Sequence, residues 1–238
     1  CADDILQKGK KSLEIKPIAH IRTDFGEKFG IPRQSGLCSL LEGKIVFEPE
    51  FAKRESVRGL EEFSHIWLIW QFSENPPTSS LTVRPPRLGG NKRVGVFASR
   101  SPFRPNGLGL SCVRLKSIEY SSSGEPVINV FGADLCDKTP IFDIKPYVPL
   151  SDCVPDALEG YTKMTKEHIL SVHIPEEKAL LLPENKLAAL KEILQLDPRP
   201  GYDDSPEKLY GLNFAGYNIK FSVKNDVLCV SDIEKIKR

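Results

Sequence analysis

Residues 110–135 read LSCVRLKSIEYSSSGEPVINVFGADL, and the way this stretch divides decides the fold. Leu110 to Tyr120 and Val127 to Leu135 are runs of strand length, rich in β-branched and apolar residues. The serines, glycine and proline between them mark a turn. Working outward, similar runs recur at Ile15 to Ile21, Lys44 to Phe47, His65 to Phe72, Arg93 to Ala98 and Ile141 to Ile144. Pro76 to Pro86 and Ser101 to Gly109 carry too much proline and glycine for helix and read as long loops. Only short helical pieces fit between strands, such as Val57 to Phe63. Seven strands with so little helix argue for a mainly antiparallel sheet closed into a barrel, because parallel βαβ units need helices of about a dozen residues. No Gly-x-Gly-x-x-Gly follows a strand; Gly107-Leu108-Gly109 lacks the third glycine and the helix, and reads as a turn. The expected fold is therefore mainly β and non-Rossmann.

The pattern changes near Ser151 to Lys166. A strand at His168 to Ile174, an apolar helix at Glu184 to Leu196 and strands at Tyr217 to Val223 and Val227 to Val230 describe a small C-terminal α+β domain. The expected limits are a polar, lysine-rich lead-in over 1–13, the barrel over 14–152, a linker over 153–165 and the second domain over 166–238. Asp197-Pro198-Arg199-Pro200 stops the helix, since neither proline can continue it.

Composition narrows the function classes. With 40% hydrophobic residues in 238 the chain can bury a core, and no stretch approaches the roughly 20 apolar residues of a membrane helix. Six cysteines form no Cys-x-x-Cys pair and four histidines no His-x-x-x-His, so no zinc site is expected. Such thiols read as reduced core residues, which points to the cytoplasm. The first residue is Cys1 and the only methionine is Met164, so an initiator is expected to have been trimmed or left out. The net charge of +1 conceals a segregation. From Asn75 to Ile118 there is no Asp or Glu, while eight Lys and Arg give that stretch +8 and leave −7 for the remainder. A local positive field of this size attracts polyanions, nucleic acid above all, by counterion release; a solvated loop with scattered arginines is the plainer alternative.

Several clusters offer chemistry. Arg100 and Arg104 lie in a proline-stiffened loop after an apolar run, suited to gripping a carboxylate or phosphate with a guanidinium fork, or simply to solvation. Pro32-Arg33-Gln34 sits between Gly30 and Gly36 and offers backbone groups, an amide and a cation. Trp67 and Trp70, three apart in a strand, fall on opposite faces and read as core, with His65 at the strand start as a pocket rim. Asp134 and Asp137 flank a turn and suit a ribose diol, an ammonium group or the turn itself. Asp197, Arg199, Tyr202, Asp203 and Asp204 gather titratable and aromatic groups in one loop, which serves acid/base and stacking chemistry or a helix stop equally.

Together these segments resemble the TsaA/TrmO family of tRNA adenosine methyltransferases. The resemblance is carried by Pro32-Arg33-Gln34-Ser35-Gly36, Val57-Arg58-Gly59-Leu60 through His65-Ile66-Trp67, Val83-Arg84-Pro85-Pro86-Arg87-Leu88-Gly89-Gly90, Arg93 to Asn106 and Asp143-Ile144-Lys145-Pro146-Tyr147. Asp197-Pro198-Arg199-Pro200-Gly201-Tyr202 is similar to the C-terminal motif of the bacterial branch. It implies a homodimeric β-barrel enzyme that binds S-adenosylmethionine near the subunit contact and methylates N6 of threonylcarbamoyl-adenosine beside the tRNA anticodon. By position, the implied cofactor contacts are Pro32, Arg33, Gln34, His65, Ile66, Arg100, Leu110, Asp134, Leu135, Cys136 and Asp137. Asp197 or Tyr202 would relay the N6 proton, and Arg199 would meet the threonyl carboxylate. Where the family has Asn-Pro-Ile-Gly, this chain reads Asn106-Gly107-Leu108-Gly109. A catalytically silent RNA-binding module and a small-molecule methyltransferase of the same fold are the competing expectations.

Overall fold

The computed structural model describes residues 13–76, 78, 80–85, 88, 91–164, 169–200, 205 and 208–236. The barrel strands are β1 (Ala19–Arg22), β2 (Glu42–Phe47), β3 (His65–Gln71), β6 (Leu108–Tyr120), β7 (Pro126–Phe131) and β8 (Pro140–Pro146), which close in the order β1-β2-β7-β6-β3-β8. Every pairing among them is antiparallel. Alternation fills the interior. Ile66, Leu68 and Trp70 of β3 point inward with Ile45, Val113, Ile128, Val130 and Ile141, while Trp67 faces out.

The 13-residue β6 pairs with β3 through its first half and with β7 through its second. The two pairings meet at Arg114, and a register shift between Leu115 and Ser117, just inside the β7-paired half, bends the strand around the barrel. The 110–120 run thus acts as the hinge of closure.

Two expected features take different forms. The run expected as a strand over Ile15 to Ile21 is extended as β1 only from Ala19: Pro17 has no N–H for a ladder, and the first pairing bonds come from Ile18, which donates to the Ile141 carbonyl and accepts the Glu48 N–H. The expected strand at Arg93 to Ala98 shrinks to β5 (Val94–Gly95), paired outside the barrel with β4 (Thr82–Val83), and is followed by a 3-10 turn at Val96–Ala98. The Val96 carbonyl accepts both the N–H and the hydroxyl of Ser99, closing that turn and ending the extension.

After the barrel come two helical turns, α1 (Pro149–Asp152) and α2 (Glu176–Ala179), and a true helix, α3 (Glu184–Gln195). The remaining strands are β9 (Ser171–His173), β10 (Tyr210–Phe214), β11 (Tyr217–Lys224) and β12 (Val227–Lys235), in the sheet order β10-β11-β12-β9. Leu190, Ile193 and Leu194 make one apolar stripe of α3 and join a core with Leu212, Phe214, Ile219 and Phe221. β10 escapes a reading by propensity, since Gly211 and Asn213 are poor strand formers.

That second core also takes in Phe25, Cys38 and Leu41, which belong to the connection between β1 and β2. Phe25 is 1% exposed, with its ring centroid 5.4 Å from that of Phe214. The Asp24 carbonyl accepts the Ala215 N–H at 3.0 Å, and the Asp24 carboxylate takes Lys186 Nζ at 2.6 Å. Glu192 of α3 accepts from the Ser39 hydroxyl and the Leu40 N–H. The 23–41 connection is thus as much a part of the C-terminal core as of the barrel. Replacing Phe25 with alanine is expected to lower the unfolding free energy by about 3–5 kcal/mol in urea denaturation, the range for a fully buried phenylalanine.

Candidate active site

A cavity of about 620 Å³ opens at one end of the barrel. Three segments build its wall. The 23–41 connection supplies Lys28 and Pro32-Arg33-Gln34, the end of β3 supplies Trp70 and Phe72, and the loop before β6 supplies Arg100, Phe103 and Arg104. Leu110 and Asp134 complete it from β6 and from the turn after β7.

Asp134 is the half-buried carboxylate of this wall. Its Oδ1 accepts the Ser111 hydroxyl at 2.6 Å, and Ser111 Oγ in turn accepts the Trp70 indole N–H at 2.9 Å. Burial pushes the Asp134 carboxyl above the usual carboxylate range, against the pull of the Ser111 hydroxyl, the Ser35 backbone N–H and the charge of Arg100. Trp70 can lie where it does because its cross-strand partner is Gly109. A Cβ at Gly109 would stand 2.4 Å from the indole ring. The glycine of Asn106-Gly107-Leu108-Gly109 therefore makes room for an aromatic wall.

The Pro32-Arg33-Gln34 segment is held from behind. Gly36 donates its N–H to the Gly132 carbonyl at 2.9 Å, and Gly132 donates to the Leu41 carbonyl at 2.8 Å. Gly132 has φ +79 and its missing Cβ would lie 3.2 Å from the Gly36 backbone, so any other residue would spread this clamp. Arg100 Nη1 donates to Gln34 Oε1 at 2.5 Å, tying two cavity loops together, and Lys28 Nζ donates to the Glu74 carbonyl across the mouth.

The expected cofactor contacts divide into two groups. Pro32, Arg33, Gln34, Arg100, Leu110, Asp134 and Cys136 come together in the cavity wall. His65 and Ile66 sit at the far end of β3, where the His65 ring shares a 2.9 Å hydrogen bond with the Ser64 hydroxyl and Ile66 is wholly buried in the barrel. Leu135 is core, and Asp137 Oδ1 accepts the Thr23 N–H at 3.1 Å and meets Arg22 Nε at 3.2 Å, fastening the 23–41 connection. Burial pushes the Cys136 thiol up, and its Sγ donates to the Phe25 carbonyl, so it offers no thiolate at neutral pH.

Of the expected catalytic loop, Tyr202 lies outside the described residues, as do Asp203 and Asp204. Asp197 and Arg199 bond each other, Nε to Oδ1 and Nη2 to Oδ2, both at 2.8 Å. Neither lines the cavity.

Residue patterns alone did not disclose Ser111 or Gly109. The signal for both is positional: in the inward-facing register of β6 a serine and a glycine stand in line with Val113, where an apolar side chain is the ordinary occupant.

An antiparallel barrel with a basic-rimmed, aromatic-walled cavity at one end, carrying a small α+β domain, defines a non-Rossmann ligand-binding barrel of enzyme type. The tRNA-methyltransferase O N-terminal domain matches residues 20–153 and the TrmO C-terminal domain matches residues 170–236. The chain belongs to the tRNA-methyltransferase O family. It is 38% identical to the tRNA (adenine(37)-N6)-methyltransferase of Escherichia coli (strain K12) over 221 residues, 89% of this chain and 94% of that one. It is also 38% identical, over 92% of its length and 96% of the relative's, to a putative S-adenosylmethionine-dependent methyltransferase of Pseudomonas aeruginosa. A crystal structure of TrmO from P. aeruginosa superimposes with a TM-score of 0.78 at 32% identity, covering 96% of this chain and all of that one.

Gly109→Ala is expected to drive the indole off Ser111 and cost about 1–3 kcal/mol of stability by overpacking. In a Trp67→Phe background, where Trp70 alone fluoresces, the emission should move to longer wavelength.

Proposed function

We propose that this protein is an S-adenosylmethionine-dependent tRNA methyltransferase that acts on N6 of the adenosine 3′ of the anticodon, in the form that carries a threonylcarbamoyl group. The cavity at the barrel mouth carries the reading. Its volume falls within the roughly 300–1,000 Å³ of small-molecule sites. Its donor set also fits the cofactor: the Asp134 carboxylate for a cationic group, arginines for the methionine carboxylate, and Trp70, Phe72 and Phe103 for a purine. Bound there, S-adenosylmethionine supplies an electrophilic methyl group on a sulfonium.

The protein's own part is positioning. Displacement at a methyl carbon is accelerated chiefly by alignment, which a wall tied at Gly132, Gln34–Arg100 and Trp70–Ser111 provides. No nucleophilic cysteine is required. We assign cofactor contact to Pro32, Arg33, Gln34, Arg100, Leu110, Asp134 and Cys136.

The acid-free stretch from Asn75 to Ile118 brings Arg100 and Arg104 to the cavity and gives an anionic tRNA its landing field. Leu81, Phe97, Phe103 and Leu110 are exposed, and Phe103 and Leu110 line the cavity itself. This apolar surface supports a homodimer whose contact covers the rim. The C-terminal domain serves substrate recognition, and the cytoplasm, where tRNA is modified, is the site of action.

Arg199 stands outside the cavity wall, which suits a role toward tRNA rather than cofactor. Its guanidinium now grips Asp197. A threonyl carboxylate that drew Arg199 to itself would lift that guanidinium off Asp197, which with Tyr202 takes up the N6 proton, and plain adenosine would leave the Asp197–Arg199 pair in place. Arg199→Ala is expected to lower methylation of threonylcarbamoyl-adenosine by about 100-fold or more, the scale of a lost charge-assisted contact, while S-adenosylmethionine affinity stays within about twofold. Mass spectrometry of tRNA nucleosides with labelled cofactor, alongside calorimetry, reads both. An unlabelled threonylcarbamoyl-adenosine with the wild-type enzyme would contradict the proposal.

A further inference from the structure

Trp70, Ser111 and Asp134 form a chain with a fixed sense. An indole N–H can only donate, so Ser111 Oγ must accept from Trp70, and its single hydroxyl proton is left for Asp134 Oδ1. Ser111 is 1% exposed and Trp70 6%, so water has little access to compete for either group. Gly109 and the barrel wall hold the indole in this position. The arrangement is made entirely by the protein's own groups, which is what a preorganised site requires.

We infer that Trp70 and Ser111 are positioning residues that keep the Asp134 carboxylate ionised and aimed into the cavity, acting on cofactor affinity through Asp134. The inference rests on the reading of the cavity as the S-adenosylmethionine site. It adds to that reading a mechanism by which a buried indole controls the charge of the cavity wall.

The groups that face Asp134 are few. From β6 comes the Ser111 hydroxyl, from the 23–41 connection the Ser35 N–H, and from the loop before β6 Arg100. Lys28, Arg33, Arg104, Glu74 and the Cys136 thiol line the same cavity, and among the described residues no histidine does. A displacement of the acidic loss of binding when the Ser111 hydroxyl is removed therefore reports Asp134, which accepts that hydroxyl, and not Glu74. Its ordinary ionisation is opposed by burial, so cation affinity is full above its raised pKa and falls as pH drops through it. Removing the Ser111 donor raises that pKa further and moves the loss to higher pH. Removing the indole N–H weakens the same donor by a step and moves it in the same direction, less far.

The test is the affinity for S-adenosylmethionine, measured by calorimetry from neutral pH down through the acidic loss of binding, of the wild type, Ser111→Ala, Trp70→Phe and the double variant. Ser111→Ala is expected to shift the acidic limb up by about one pH unit. Trp70→Phe should shift it by about half as much, and should shift nothing further in the Ser111→Ala background. Ser111→Thr, which restores a hydroxyl, should return the limb toward wild type. Should Ser111→Ala fail to fold, Trp70→Phe against wild type carries the same comparison. An unmoved limb, an equal loss at every pH, or additive shifts in the double variant would overturn the inference while leaving the cofactor site standing. A wild type that binds no S-adenosylmethionine at any pH would remove the cofactor reading itself, and the inference with it.

Discussion

The burial of Phe25 in the core of the C-terminal domain is the constraint on which the cavity depends. The connection from Thr23 to Leu41 leaves the barrel, enters that second core, and returns as the wall that presents Pro32, Arg33 and Gln34. Gly30, at φ +85, passes so close to Leu212 that a Cβ there would stand 2.1 Å from its methyl group. On its other side the connection is pinned to the barrel by Gly36–Gly132 and by Asp137. A loop of this length left free would sample many conformations and hold no ligand in register. Here each domain immobilises the segment that the other lacks, so the C-terminal domain shapes the cavity without lining it.

Charge is organised on the same principle. The chain is nearly neutral, yet its cations concentrate in one acid-free stretch, and that stretch supplies the loop between β5 and β6 that rims the cavity. Within this positive rim Asp134 is a carboxyl group sunk in the wall and faced by the Ser111 hydroxyl, the Ser35 N–H and Arg100. A ligand that bears both a cationic centre and a carboxylate finds a complement to each, while a polyanion is drawn to the outside.

Much of this was legible in the sequence, and the exceptions have physical causes. The barrel could be read because β3, β6 and β7 alternate cleanly and little helix lies between the strands. Arg100 and Asp134 were legible as candidates because a guanidinium fork suits an anion and a carboxylate a cation, although an Asp at a turn serves the turn equally well. His65 and Ile66 sit at the start of β3, and because a strand exposes its ends to different sides of a barrel, it is the Trp70–Phe72 end that lines the cavity. Ser111 and Gly109 were illegible as site residues because their meaning lies in the cross-strand partner, and register is not written in a single strand. The partnership of Phe25 with Phe214 is hidden for the same reason, at a separation of nearly two hundred residues.

The central claim is that the barrel mouth, with its wall set by the 23–41 connection, is where the methyl donor binds. A crystal structure of the protein with S-adenosylmethionine tests it most directly. The account predicts density for the donor in this cavity, with a polar atom within hydrogen-bond distance of Asp134 and another of Arg100. Density at any other place on the molecule, with these loops unengaged, would contradict it.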